Sequence, residues 1–232
     1  MKYRINKVDF PGVIYYNDQM SINYNMVHKF EDDNSEVVSE KLITKDFPVF
    51  DYFKAKDKLV KIIGIGSFLP RSFFVREDIL EELLKFSLPK YIILDVKIMY
   101  RKKWIENYKA IFLEEDMIKY ADFNKSVFLA DDLSLPYNTD RSFEFRVGSL
   151  SELIEFRADI RNNNWRVKSL TLNADFPKYD IFQFNIIDYR FYCSEPMKEF
   201  FMDHDDESWR FKFYNPNFPV YLSDGSQIGL TT

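Results

Sequence analysis

Short apolar runs bounded by polar residues recur along the whole chain and predict strands. Residues 91–96 form a mostly apolar run of strand length, which is typical of burial on both faces, and residues 97–104 are predicted to continue it. Residues 143–147 alternate apolar and polar side chains, so one face of that strand should lie in water. Helical spacing is rarer, and strands do not alternate regularly with helices. The pattern predicts an α+β fold with mixed, mostly antiparallel sheets and a few short helices.

One part of this pattern occurs twice. Residues 73–77 read Phe-Phe-Val-Arg-Glu, and residues 191–195 read Phe-Tyr-Cys-Ser-Glu, 118 positions further along the chain. A helix candidate and then a strand candidate follow each pentad, at residues 78–86 and 91–96 in the first copy and at residues 196–204 and 209–214 in the second. The chain is therefore predicted to contain a repeated strand–helix–strand module.

The repeat suggests how the chain is divided. Residues 1–115 would form an N-terminal α+β half with the first module, and residues 116–232 a C-terminal half with the second, unless both belong to one continuous domain. Ser149 and Glu152 form a capping-box pattern at the start of a further helix. The tail, residues 215–232, contains Pro and Gly and is predicted to be extended and partly frayed.

Composition narrows the classes of function. With 24 Phe and 15 Tyr among 232 residues, the chain has ample aromatic area for a core. The net charge of −5, from 37 acidic and 32 basic residues, argues against a nucleic-acid-binding protein. No apolar run approaches the length of a membrane span and no signal peptide is readable, so we expect a cytoplasmic protein without a membrane partner. The single cysteine, Cys193, excludes an internal disulfide and fits a reducing compartment.

Candidate catalytic residues are few, and each has a simpler structural interpretation. Cys193 could be a nucleophile, but it stands in an apolar strand, where a thiolate is disfavoured. Ser194 lacks the Gly-x-Ser-x-Gly elbow of a serine hydrolase and is better explained as the N-cap of the following helix. The run Gly64-Ile65-Gly66 lacks the third glycine and the helix of a dinucleotide fingerprint, so it is predicted to be a turn. We therefore expect no catalytic residue and no cofactor.

Acidic residues surround one of the two histidines, His204, between the last predicted helix and the strand that follows it. Carboxylates beside an imidazole could bind a divalent metal, but the spacing matches no known ligand pattern. A solvated acidic loop is the simpler interpretation, and no metal is expected. Such a loop can also steer and hold a basic protein. The residues predicted to contact a partner are Asp203, Asp205, Asp206 and Glu207.

Several short motifs resemble a family of bacterial immunity proteins from polymorphic toxin systems. In the C-terminal part, the matching motifs are Asp180-Ile181-Phe182, then residues 191–198 with the Ser194-Glu195 step, then Phe211-Lys212-Phe213. Asp122, Ser126 and Phe128 fit the central Asp-x-x-x-Ser-x-Phe pattern of the family. These positions also suit helix caps and a buried core.

The resemblance extends over residues 60–214. It includes the first module, which begins at residue 73 and is similar to the N-terminal copy of the module in that family. Two departures stand out. Arg76-Glu77 replaces the Ser-Glu step in the first copy, and residues 207–209 replace a glycine expected before the closing strand.

The resemblance implies a cytoplasmic protein that binds and neutralises a cognate toxin. Toxin domains are often basic nucleases, so an acidic surface could cover an active cleft by charge complementarity. Two other interpretations stay open from the residues themselves. One is a small hydrolase with a carboxylate-lined pocket, and the other is a structural or interaction domain unrelated to toxins.

Overall fold

The computed structural model describes residues 3–10, 14–16, 53–55, 59–64, 71–131, 141–158, 165–184, 187–205 and 211–229. These residues group into two compact units. Unit A draws on Met1–Val8, Asp116–Lys198 and Phe213–Thr232, and unit B on Asp9–Glu115 and Glu199–Lys212. One unit boundary lies after residue 115, where the sequence also suggests a division, but Met1–Val8 and Glu199–Lys212 each belong with the other part of the chain.

The described residues form β-strands, three α-helices and one 3-10 helix. The strands are β1 (Ile5–Asp9), β2 (Ile14–Tyr16), β3 (Phe53–Ala55), β4 (Ile62–Gly64), β5 (Ser72–Arg76), β6 (Tyr91–Tyr100), β7 (Lys103–Leu113), β8 (Val127–Asp131), β9 (Ser142–Phe145), β10 (Trp165–Thr171), β11 (Ile181–Phe184), β12 (Asp188–Ser194), β13 (Lys212–Tyr214), β14 (Val220–Tyr221) and β15 (Gln227–Gly229). The helices are α1 (Glu77–Leu83), α2 (Leu150–Ala158) and α3 (Glu195–Asp203), and the 3-10 helix is Met117–Tyr120.

The strands form three sheets. A six-stranded sheet has the order β2-β3-β6-β7-β5-β4, a five-stranded sheet the order β15-β14-β10-β8-β9, and a four-stranded sheet the order β11-β12-β1-β13. Most pairs are antiparallel, while β3 with β6 and β10 with β14 are parallel. The predicted α+β class with mostly antiparallel sheets is confirmed.

Unit B contains a cluster of aromatic rings. The ring of Phe10 stacks on Phe73 at 5.2 Å between centroids and meets Phe201 edge-on at 5.4 Å, and Phe201 stacks on Phe211 at 5.1 Å. Gly64 lies at the end of β4, and a Cβ built there would lie 2.8 Å from Phe10 Cβ. The prediction of a turn is therefore wrong at Gly64, where glycine permits the close approach of Phe10. Residues 65 and 66 lie outside the described residues.

Unit A has its core around Phe128, which is fully buried. The tail contains extended segments, as predicted, but the prediction of fraying is wrong for residues 215–229. Val220 is fully buried in β14, which pairs with β10 in parallel, and β15 pairs with β14. The amide of Leu170 donates to the carbonyl of Pro219 at 3.0 Å, so backbone hydrogen bonds hold this segment to the sheet.

Both predicted modules form a strand, a helix and a strand: β5–α1–β6 and β12–α3–β13. In each copy another strand lies between the two module strands, β7 in the first and β1 in the second. In each copy the first strand also pairs antiparallel with the strand before it, β4 or β11. The two sheets therefore share one order, β4-β5-β7-β6 and β11-β12-β1-β13.

The strand registers of the two copies coincide. Phe74 pairs with Ile63, and Tyr192, which is 118 positions later, pairs with Phe182. On the other side of the same strands, Val75 pairs with Lys109 and Cys193 with Asn6. The N-terminal strand β1 thus occupies in the second copy the position that β7 occupies in the first.

Candidate functional site

The Ser-Glu step begins α3 with a set of internal hydrogen bonds. Ser194 is buried, and its hydroxyl donates to Asp180 Oδ1 at 2.6 Å. The Ser194 amide donates to the carbonyl of Asp180 at 2.9 Å, and Ser194 Oγ accepts from the amide of Met197 at 3.4 Å. Ser194 therefore stands at the N-cap of α3, where its side chain satisfies an amide that the helix leaves free.

Glu195 ties the start of α3 to the central strand β1. Its Oε1 accepts from Asn6 Nδ2 at 2.9 Å, and its Oε2 lies 3.5 Å from Lys198 Nζ. The first module makes the same connection, because Glu77 Oε1 lies 2.8 Å from Nζ of Lys109 on the central strand β7. Asn6 and Lys109 hold equivalent registers, opposite Cys193 and Val75. In both modules, the glutamate that begins the helix thus binds the side chain at the same register position of the central strand.

Arg76 replaces the serine in the first module, and its side chain has a different role. Its amide donates to the carbonyl of Lys61 at 2.8 Å, as the Ser194 amide does to Asp180. Its side chain does not cap α1 but binds the Asp78 carboxylate through Nε at 2.8 Å and Nη2 at 2.7 Å. These hydrogen bonds lower the pKa of Asp78. The Arg76-Glu77 step therefore keeps the backbone hydrogen bond of the Ser194-Glu195 step and replaces its side-chain cap by an ion pair with Asp78.

The central motif locks a turn onto β10. Ser126 is fully buried, and its Oγ donates to the carbonyl of Asp122 at 2.8 Å and accepts from the amide of Thr171 at 3.1 Å. The Asp122 amide donates to the Thr171 carbonyl at 2.8 Å. Two residues after Ser126, Phe128 enters the core of unit A. Asp122, Ser126 and Phe128 thus act in folding: two hold the turn and one fills the core.

A cavity of about 490 Å³ lies beside the Ser-Glu step in unit A, and this volume is within the range of small-molecule sites. It is lined by Tyr3, Arg4, Lys178, Asp180, Ser194, Glu195 and Pro196. Tyr3 donates to the carbonyl of Tyr179 at 2.6 Å, and burial raises the pKa of its hydroxyl. Because Tyr3 and Ser194 both donate to internal acceptors, the hydroxyls of the cavity support its walls and are not poised for attack.

The predicted partner-binding residues lie at the end of α3 and beyond it. Asp203 is the last residue of the helix and is exposed, and Asp205 is half-buried. Asp206 and Glu207 lie outside the described residues. Of the four predicted residues, the structure therefore places Asp203 and Asp205 at the end of α3.

His204 is held between two charged side chains of unit B. Lys61 Nζ lies 3.4 Å from Nδ1, and Glu82 Oε2 lies 3.3 Å from Nε2. The imidazole thus lies between an ammonium group and a carboxylate. The edge of the ring also meets Phe200 at 4.6 Å between centroids. Among the described residues, no three His, Cys, Asp and Glu side chains come together as a metal-binding group.

Cys193 is fully buried in β12, and desolvation raises the pKa of its thiol. We expect iodoacetamide to alkylate the folded protein on the order of a hundredfold or more slowly than the chain unfolded in urea. Mass spectrometry over time measures both rates, since this chain has one cysteine. Equal rates would show that the thiol is accessible in the folded protein.

One exposed feature has no counterpart in the sequence-based prediction. The prediction that residues 97–104 continue one strand is confirmed as far as Tyr100, where β6 ends. It is wrong beyond that residue, because a turn leads directly into β7. The turn residues are Arg101 and Lys102, which lack the Asn-Gly signature of a tight hairpin. Only the similar lengths of the apolar runs on either side could have indicated the hairpin.

Comparison with known proteins identifies no relative of this chain. No family model, no curated protein and no solved structure matches it. In the described stretches, no helix is long and apolar enough to cross a membrane.

Proposed function

We propose that this chain is an immunity-type protein, which binds a cognate bacterial toxin and neutralises it by protein–protein contact. One observation carries the proposal: the side chains in the motifs that resemble the immunity family make hydrogen bonds within the protein. Ser126 and Ser194 each hold a backbone amide, and Glu195 holds the central strand. A motif used in this way maintains a scaffold, and a scaffold presents its outer surface to partners.

The end of α3 offers a suitable contact surface. Met202 is 58% exposed, and the exposed Asp203 follows it. An exposed apolar side chain beside carboxylates can bury apolar area at the centre of an interface while the charges at the rim steer a basic partner. This surface would meet a basic toxin.

A small hydrolase is the second candidate, because two carboxylates, Asp180 and Glu195, line the cavity beside the Ser-Glu step. A paired-carboxylate mechanism needs one group that can give or take a proton at the substrate. Here Asp180 accepts from Ser194, and Glu195 binds Asn6 and Lys198. These contacts favour a structural role for both carboxylates, so the binding function ranks first.

Co-expression tests the proposal directly. The protein encoded beside this gene is expressed in a bacterial host with and without this chain, and growth is followed. We expect the neighbour to arrest growth and this chain to restore it. An arrest that this chain does not relieve would contradict the proposal.

Charge reversal then tests the acidic surface. A variant with Asp203, Asp205, Asp206 and Glu207 all replaced by Lys should associate with the neighbouring toxin about tenfold more slowly at low salt, because steering is lost. Stopped-flow or surface-binding kinetics measure the rate. A control that replaces four other exposed acidic residues by Lys, at Glu81, Glu106, Glu155 and Asp175, changes the net charge by the same amount and so separates this effect from net charge. If both variants associate equally fast, the four residues have no part in the contact.

A further inference from the structure

The hairpin of β6 and β7 ends in a turn that its sequence disfavours. Tyr100 pairs with Lys103, which leaves Arg101 and Lys102 as the two turn residues, with φ of 49° and 64°. A two-residue turn with both φ positive is the type I′ turn, in which Asn and Gly are preferred because a Cβ is strained in the left-handed region. Backbone strain of this kind is retained where the side chains serve a function.

The turn concentrates positive charge on a protein whose net charge is −5. Arg101, Lys102 and Lys103 are consecutive and exposed. The Arg101 guanidinium lies over the ring of Tyr100 at 5.0 Å, which orients it at the tip. Further from the tip, Lys97 Nζ lies 3.6 Å from Glu106 Oε1, so the charge there is balanced. The positive excess of the hairpin is therefore confined to its end.

An aromatic side chain adjoins these cations. Trp104 is 53% exposed and pairs across the ladder with Met99. Trp and Arg are the residues that most often dominate the free energy of binding at protein interfaces. Because successive side chains of a strand point to opposite faces, Trp104 lies on the face opposite Lys103, and the tip presents cations and an apolar anchor on its two sides.

On the β5 side, the end of the hairpin extends past the neighbouring strand, whereas on the other side β3 pairs with β6 as far as Tyr100. On β7, β5 pairs only with the segment from Tyr108 to Phe112, and no described strand pairs with the outer edge of residues 103–107. The basic tip and Trp104 therefore lie on a part of the hairpin that β5 does not cover.

We propose that the tip formed by Arg101, Lys102, Lys103 and Trp104 binds an acidic segment of a partner protein. The cations select carboxylates, and Trp104 supplies the apolar contact. A protein is favoured over a nucleic acid because the positive charge occupies one turn, whereas a nucleic-acid site spreads many cations along the phosphates and this chain is acidic as a whole. The inference goes beyond the proposed function, since it does not require that the partner be a toxin.

The test uses the full chain and a library of random short peptides displayed on phage. Peptides selected on the wild-type protein are counter-selected against the double variant Arg101→Asn and Lys102→Gly. This variant removes two charges and installs the preferred turn, so it keeps the hairpin and should melt a few degrees higher than the wild type. A control, Lys85→Gln with Lys212→Gln, removes two exposed charges elsewhere.

We expect the selected peptides to be enriched in Asp and Glu, to bind the turn variant at least about tenfold more weakly, and to bind the control as they bind the wild type. Trp104→Ala should weaken the same peptides. The inference is overturned if the peptides show no acidic enrichment, or if the turn variant binds them equally well. It is also overturned if an oligothymidylate, or vesicles of equal parts phosphatidylcholine and phosphatidylserine, bind the tip more tightly than the peptides at equal salt. None of these results depends on the growth assay, so each proposal can fail alone.

Discussion

Replacing Phe128 by alanine is expected to lower the free energy of unfolding of unit A by about 3–5 kcal/mol. Phe128 is fully buried, and its ring lies 5.5 Å from Phe145, 6.0 Å from Trp165 and 6.4 Å from Phe123, between centroids. Alanine would forfeit these contacts and leave a cavity that the neighbouring rings can fill only in part. Since domains are stable by only about 5–15 kcal/mol, one substitution would remove a large share of the total.

Urea denaturation followed by tryptophan fluorescence measures this loss, because Trp165 lies against Phe128 and reports on the same core. The matched control is Phe143→Ala on β9, where the ring is 42% exposed and the expected change is within about 1 kcal/mol. If the two variants lost equal stability, Phe128 would not be the centre of this core.

The parts of the fold that depend on neighbouring residues could be predicted from the sequence. The helix predicted at residues 78–86 is observed as α1, with Ile79 and Leu83 buried on one face, because its periodicity is local. The capping box at the start of α2 is observed as well: Ser149 Oγ accepts from the Glu152 amide at 3.2 Å. Glu152 then reaches back to the amide of Gly148 at 2.8 Å, one residue earlier than the pattern predicts.

The parts that depend on distant residues could not be predicted. Val220 pairs with Leu170. The short apolar segment around Val220 has no property from which β10 could be predicted as its partner. The same limit applies to the candidate site. Ser194 and Glu195 can be recognised as the start of a helix, but Asn6, which binds Glu195, comes from the other end of the chain. Short strands whose partners are remote in sequence carry too few residues for a periodic signal.

The hairpin tip shows a different limit. Turn prediction relies on residues that adopt positive φ without strain, and Arg101 and Lys102 are not such residues. A local rule that fails at one exposed position indicates a constraint other than folding. The left-handed backbone of Arg101 and Lys102 thus supports the binding role proposed for the hairpin tip.

Deleting residues 1–8 is expected to abolish the folded state of unit A. These residues supply all of β1 except Asp9, and β1 lies between β12 and β13 in the four-stranded sheet. Ile5 and Val8 are buried, and Asn6 holds Glu195 at the start of α3. Without β1, the backbone groups of β12 that face it lose their partners, and two apolar side chains leave the core. In the first module the equivalent strand, β7, would remain.

A synthetic peptide of residues 1–8, added to the truncated chain, should restore the cooperative unfolding transition, because the vacated position in the sheet is complementary to that strand. Circular dichroism during heating measures the transition at increasing peptide concentration. The matched control is the same peptide with Val8→Asp, which would place a charge in a buried position and should not restore folding. A truncated chain that unfolds at the same temperature as the full chain would show that β1 is dispensable. The position that β1 shares with β7 would then contribute nothing measurable to the free energy of unfolding of unit A.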